Sequence, residues 1–346
     1  MDPLRGNNTS ARIGYIDIAK CIAILVVIAG HYYAPPLLAG KVIYSFHMPL
    51  FFIVSGFFVK DYQIKKNVIR SCKGLLLPYL AGMSIKTAID IFAGKDLQGL
   101  DAARQGLIDM VGGMCKVSAV FPAFRDVGML WFLPCLFVCR VLFVVIMNVT
   151  EKSKYSSSIR IIIFSLLAFV GMATPGLTYE YFPWGAEIAL VSLLFLFCGN
   201  MLNKHKVFDD RRRLPIAGIC LVIWIVLLSL GFYIELAAHY WPGFYLAVLE
   251  GMLASFAVMC LSQLIDSIRF LNTALRWIGK SSLIVLLVHY IDSVYEVSDK
   301  LLGILNIYHS ILSLTVRILF ILCIAGVISL LLQMVKARAK VRSANG

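Results

Sequence analysis

Charge is scarce in this sequence. Only 15 % of its 346 residues are charged and 60 % are hydrophobic, with a mean hydropathy of +0.85. A soluble globular chain is about a quarter charged and about half apolar, so the shortage excludes a soluble domain of any size. Acid is scarcer than base, with 19 Asp and Glu against 32 Lys and Arg. The resulting net charge of +13 would suit a nucleic-acid partner, but the distribution of the charge, described below, excludes that. The nine cysteines are odd in number and form neither a disulfide framework nor a zinc spacing. Seven fall in apolar stretches and read as small buried apolar residues. Residues 1–12 lack the apolar core of a cleavable signal peptide, so the first apolar stretch is expected to act as the insertion signal. No repeat of fixed period is present, and no His-Glu-x-x-His pattern, so no metal is expected.

Long apolar runs fill the chain instead, and runs of this length point to membrane helices. Ten candidate spans follow: 15–34, 42–59, 75–93, 127–148, 159–174, 184–202, 214–233, 244–265, 281–295 and 312–335. Numbering the connections alternately puts twenty-two Lys and Arg on one side and six on the other. The positive-inside rule assigns the richer side to the cytoplasm. The expected fold is therefore an all-α integral membrane protein, a bundle of about ten transmembrane helices with both N and C termini cytoplasmic. It forms a single domain over 1–346, with the bundle at about 12–335 and a basic cytoplasmic tail at 336–346, in the inner (plasma) membrane. The segment 94–126 is the one long outer connection. Its alternating apolar and polar residues suit either an amphipathic helix on the outer surface or part of a lid over a site.

Ionisable groups at membrane depth are costly and mark partners, cavities or ligands. The first span carries Asp17, Lys20 and His31. Asp17 and Lys20 are neighbours on a helix, and an interfacial ion pair satisfies them. Lys20 and His31 are eleven residues apart, close to three full turns, which puts them on one stripe ~16 Å apart along the axis. The second span opens with Phe46, His47, Met48 and Pro49, the proline reading as a first-turn residue. Going out on one span and back on the next brings His31 and His47 together at the outer end, and span nine adds His289 in its outer half. His239 and His309 fall in outer connections, and His205 in a cytoplasmic one. Imidazoles gathered at one depth suit proton transfer near neutral pH. The basic connection 60–73, with Arg70 and Lys73, serves either topology and lipid headgroups or a phosphorylated ligand. Glu250 reads as a deep hydrogen-bond partner, and Trp131 as an aromatic of the membrane interface.

Several of these residues also carry a resemblance. Asp17-Ile-Ala-Lys20 with His31, followed by the run from Phe46-His47-Met48-Pro49 to Ser55-Gly56, resembles the opening of the membrane acyltransferase family three, in particular its fucose 4-O-acetylase-like branch. Leu77-Pro78-Tyr79, the run Leu130 to Pro134 and the run Trp277 to Leu283 match in order, so that about 12–335 is covered. The family signature has arginine, then ten residues, then the histidine, and this chain has Lys20 at the arginine position. That change keeps the charge and loses bidentate phosphate geometry. The resemblance implies a ten-helix bundle that moves an acyl group from cytoplasmic acyl-CoA to a hydroxyl of a lipid-linked or exported glycan. On that expectation, acetyl-CoA or another acyl-CoA is the donor. Its phosphates lie near Lys20, Arg70 and Lys73, and Asp17 holds Lys20. His31 is the general base, with His47 and His289 orienting it or the acceptor. Membrane lipid, acyl-CoA and a glycan are then the partners, no nucleic acid is expected, and homo-oligomerisation is left open. The competing reading is a transporter or flippase whose intramembrane charges line a pathway, although the internal repeat of many transporters is missing.

Overall fold

Each of the ten apolar stretches folds into a helix. The structure, a computed structural model, describes residues 13–31, 38–94, 97–153, 155–178, 181–307 and 310–344. Among these there is no named strand. His309 and the residues 1–12 lie outside them.

Four well-buried helices that pack on one another form the centre. They are α1 (Gly14–Gly30), α2 (Leu38–Phe57), α8 (Ala186–Lys204) and α10 (Tyr245–Asp266). Glycine lets two of them meet closely. A Cβ on Gly56 of α2 would run into the Leu196 backbone of α8, and one on Gly199 of α8 into the Ile53 backbone of α2. Small residues at such crossings let helix backbones approach within a membrane, where no hydrophobic force drives helices together. Between them in sequence come α3 (Ile64–Ser71), α4 (Leu77–Ala93), α5 (Gly99–Gly112), α6 (Phe132–Val149) and α7 (Ser156–Thr178). They are followed by α9 (Arg213–Ser229), α11 (Arg269–Lys280), α12 (Ser282–Tyr295), α13 (Val297–Ile304) and α14 (Ser310–Ala344). Central and peripheral helices differ in what they bury. In α10, 61 % of the apolar window is buried, against 17 % in α14, whose leucines and valines face outward. Those outward faces suit lipid.

Among the described residues seven helices are long and apolar enough to cross a membrane, or eight if α11 and α12, bent by 65° at their junction, count as one broken span. That bent pair replaces the single straight span expected over 281–295. The helix α9, and likewise α1, has 17 residues and a length of about 25 Å, just short of a ~30 Å hydrocarbon core. The helix α14 has 35 residues, about 52 Å, and continues through the basic segment instead of ending before it.

Two further expectations are corrected. Pro49 lies well inside α2, which begins at Leu38, and is no first-turn proline. Its ring packs where Gly251 of α10 offers no side chain, and buried neighbours let a membrane helix tolerate such a residue. Trp131 is buried against Phe132 instead of standing at an interface.

Candidate functional site

A cavity of about 580 Å³ runs through the centre of the bundle. Lys20 and His31, on one stripe of α1, both line it, as their eleven-residue spacing requires. The two ends of the cavity differ in chemistry. Lys20, Ser55, Ser282 and Arg140 line one end. His31, His47, Tyr44, Lys116, Asp126 and Glu235 line the other. The wall between them is apolar, made by Ile24, Val27, Phe51, Val54, Phe132, Leu136 and Leu286.

The Lys20 end is built by four helices. Lys20 Nζ lies 2.8 Å from Asp17 Oδ1, one turn earlier on α1, and the carboxylate is almost wholly buried. Gly279, at the end of α11, has no Cβ because the Asp17 backbone occupies that space, so the Trp277-Ile-Gly279 run clamps the turn that carries Asp17. Arg140 of α6 was not singled out by the sequence, yet it completes this end. Its Nη1 donates to Ser55 Oγ at 2.8 Å and its Nε to Ser71 Oγ at 3.1 Å. Arg70 is close enough to act on Arg140 electrostatically, but Arg70 and Lys73 are exposed and are not part of the cavity wall. The residues between α3 and α4, Cys72–Leu76, form one π-helical turn that carries Gly74 and Leu75 to the wall. Such turns accompany functional sites, and Gly74 has open space where a side chain would stand.

At the other end, His31 caps α1 with its own backbone N–H bonded to Val27 O at 3.3 Å. Tyr44 Oη donates to Gly30 O at 2.9 Å and so ties this turn to α2. Its ring also meets His47 at 5.4 Å. His47 lies one turn further along α2 than Tyr44, and its Nδ1 is 2.7 Å from Ile43 O. A carbonyl can only accept, so Nδ1 carries the proton and Nε2 keeps its lone pair. His289 of α12 stacks edge to face on His31, with ring centroids 5.2 Å apart. It is buried, and neither ring nitrogen has a hydrogen-bond partner among the described residues. The expected imidazole cluster thus consists of His31, His47 and His289. His239 is separate: its Nε2 lies 2.8 Å from Glu187 Oε1 in a buried pair. Glu250 is fully buried on α10 and lies off the cavity wall.

The segment between α5 and α6 closes the His31 end, with Cys115, Lys116, Asp126 and Gly128 on the wall, and the connection before α10 adds Glu235 to Ala237. The helix α5 exposes Leu100, Leu107 and Val111 along one face, while the loop after it covers the cavity. Burial pushes the carboxyls of Asp126 and Glu235 above their ordinary range, and Lys116 pulls both partly back. Burial likewise raises the Cys115 thiol, which donates to Ala237 O at 3.6 Å; such a thiol is a poor nucleophile.

One cavity therefore joins a cationic, serine-lined end to an end with a histidine open to the cavity, through an apolar middle. A family model described as an acyltransferase domain matches residues 13–334. No curated protein and no solved structure matches the chain.

Proposed function

This chain belongs to acyltransferase family 3, and on that premise we propose that it is an acyl-CoA-dependent O-acyltransferase of the plasma membrane. It transfers an acetyl group to a hydroxyl of an extracytoplasmic or lipid-linked glycan. The observation that carries this reading is the single cavity with Lys20 and Arg140 at one end and His31 at the other. The bundle crosses the membrane ten times with both termini in the cytoplasm, and the charge asymmetry of the connections supports that arrangement. The Lys20 end then faces the cytoplasm.

In this reading the phosphates of acetyl-CoA meet Lys20 and Arg140, a charge-assisted contact of the strong class. The pantetheine arm follows the apolar wall for ~16 Å, the distance set by eleven helical residues, and brings the thioester to His31. The neutral imidazole of His31 takes the proton of the acceptor hydroxyl as its oxygen attacks the thioester carbon. The new C–O bond forms, the C–S bond breaks, and the proton passes from His31 to the departing thiolate. His47, held in one tautomer by Ile43 O, presents Nε2 as an acceptor that orients the incoming hydroxyl. Asp17 keeps Lys20 in place. The resemblance to the fucose 4-O-acetylase-like branch supports acetyl as the group moved.

The test is consumption of acetyl-CoA by detergent-purified protein, read as thiol release. Thiol release that depends on His31 supports the reading. A transporter would release none, and full activity in a folded His31→Ala protein overturns it.

A further inference from the structure

Beside the His31 end lies a second chamber, of about 210 Å³, that the mechanism above does not use. Its polar wall comes from Lys86 and Asp90 of α4, Gln105 and Asp109 of α5, Arg125 of the following loop and Tyr295 at the end of α12. Asp126 lines both this chamber and the main cavity. Asp126 therefore stands at the wall shared by the two spaces, its Oδ1 accepting from the Gly128 N–H at 2.7 Å.

Resting on the acyltransferase reading, we propose that this chamber is the acceptor subsite and that it holds one sugar-sized, uncharged, polyhydroxylated ring. The charge balance argues against an anionic ligand. Among the described residues, Lys86 and Arg125 face three carboxyls, Asp90, Asp109 and Asp126, so the chamber offers a phosphate or carboxylate no net attraction. Its polarity argues against an acyl chain. A hydroxyl both donates and accepts, and it is the group that can pair in turn with a cation, a carboxylate, an amide and a phenol. The volume argues for one ring: it is several times the ~30 Å³ share of a water molecule and too small for a polymer.

The wall is also set before any ligand arrives. Asp90 accepts from Lys86 Nζ at 2.6 Å and from Tyr295 Oη at 2.7 Å. Tyr295 Oη also lies 2.9 Å from Lys86 O. Asp109 Oδ1 accepts from Gln105 Nε2 and from the Arg125 N–H, each at 2.8 Å. Gln105 Nε2 in addition reaches Ala123 O at 2.9 Å. Side chains locked in this way lose little freedom on binding, which favours affinity. A ring seated here has one edge at Asp126, and a hydroxyl on that edge is the one offered to His31. The chamber thus selects which hydroxyl is acylated.

The test uses the full chain in detergent and a panel of methyl glycosides of glucose, galactose, fucose, rhamnose and N-acetylglucosamine. Binding is read by saturation-transfer NMR, beside thiol release from acetyl-CoA. Gln105→Leu and Asp90→Asn probe the chamber. Arg104→Ala, on an exposed position of α5, is the control, and thermal unfolding verifies that each variant is folded. At least one glycoside should bind the wild type saturably. Both chamber variants should weaken that binding tenfold or more, and the control should keep it. No glycoside bound by the wild type, or binding unchanged in both chamber variants, overturns the proposal. If a glycoside binds through the chamber while acetyl-CoA is not consumed, the saccharide site stands and the acyltransferase reading falls. If acetyl-CoA is consumed and no glycoside binds, only the chamber assignment falls.

Discussion

The rings of His31 and His289 meet edge to face at 66°, with 5.2 Å between their centroids, although one caps α1 and the other belongs to α12. Only His31 opens to the cavity, and His289 is sealed behind it. The two should therefore fail differently. Loss of a general base costs about 10²- to 10⁴-fold in rate, so His31→Ala should fall into that range. His289→Leu removes an edge-to-face ring contact of a class worth about 0.5–1.5 kcal/mol, and should cost at most about tenfold in kcat. Thiol release at saturating acetyl-CoA measures both. A larger loss at His289 than at His31 would reverse the assignment.

Arg140 grips Ser55 and Ser71 with two of its nitrogens while lining the Lys20 end of the cavity, the proposed donor site. Lysine keeps the charge but not the planar fork. Arg140→Lys is expected to raise the Kd for acetyl-CoA about tenfold, or about 1.4 kcal/mol, with kcat at saturation little changed. Calorimetric titration of the purified protein gives the Kd, and an unaltered value removes Arg140 from the donor site.

The pH dependence should move with Lys116. This cation lowers the carboxyl pKa of both Asp126 and Glu235, which burial raises. Lys116→Met removes the pull, so both pKa values rise further and each carboxylate ionises only at higher pH. If the ionised forms orient the acceptor, the acid limb of the kcat/KM profile shifts to higher pH. A shift toward lower pH would contradict the electrostatics of this mouth.

The crossing of α2 and α8 has no room for a methyl group at Gly56 or Gly199, because each faces the backbone of its partner helix. Gly56→Ala should destabilise the protein by about 1–3 kcal/mol, the usual cost of overpacking. Gly218→Ala, where open space surrounds the Cβ position, should leave stability unchanged or improve it. Thermal unfolding in one detergent compares the two.

Much of this architecture could be read from the sequence, and the reasons are local. Apolar runs declare helices because every backbone polar group in lipid must be satisfied within its own segment. The pairing of His31 with His47 follows from two helices adjacent in sequence that run out and back, and that of Lys20 with His31 from helical periodicity alone. Arg140 was legible only as a charge inside the span 127–148; its partners Ser55 and Ser71 belong to other segments, with no spacing to connect them. Asp126 and Glu235 come from loops, where no period exists. Arg70 and Lys73 looked like natural phosphate ligands, but the π-helical turn 72–76 gives the wall to Gly74 and Leu75 instead. The bend between α11 and α12 was hidden for a similar reason, because a composition window does not register a change of direction at Ser281.

The apolar middle of the cavity has a consequence for the cell as a whole. A water-filled passage joining a cationic end to a histidine-lined end would let protons leak and discharge the membrane potential. Apolar walls hold water poorly, so on the proposed reading Ile24, Val27, Phe51, Val54 and Leu136 would serve as electrical insulation whenever no donor fills the space. The residues proposed to guide an acyl carrier when it is present would then keep the membrane energised when it is absent.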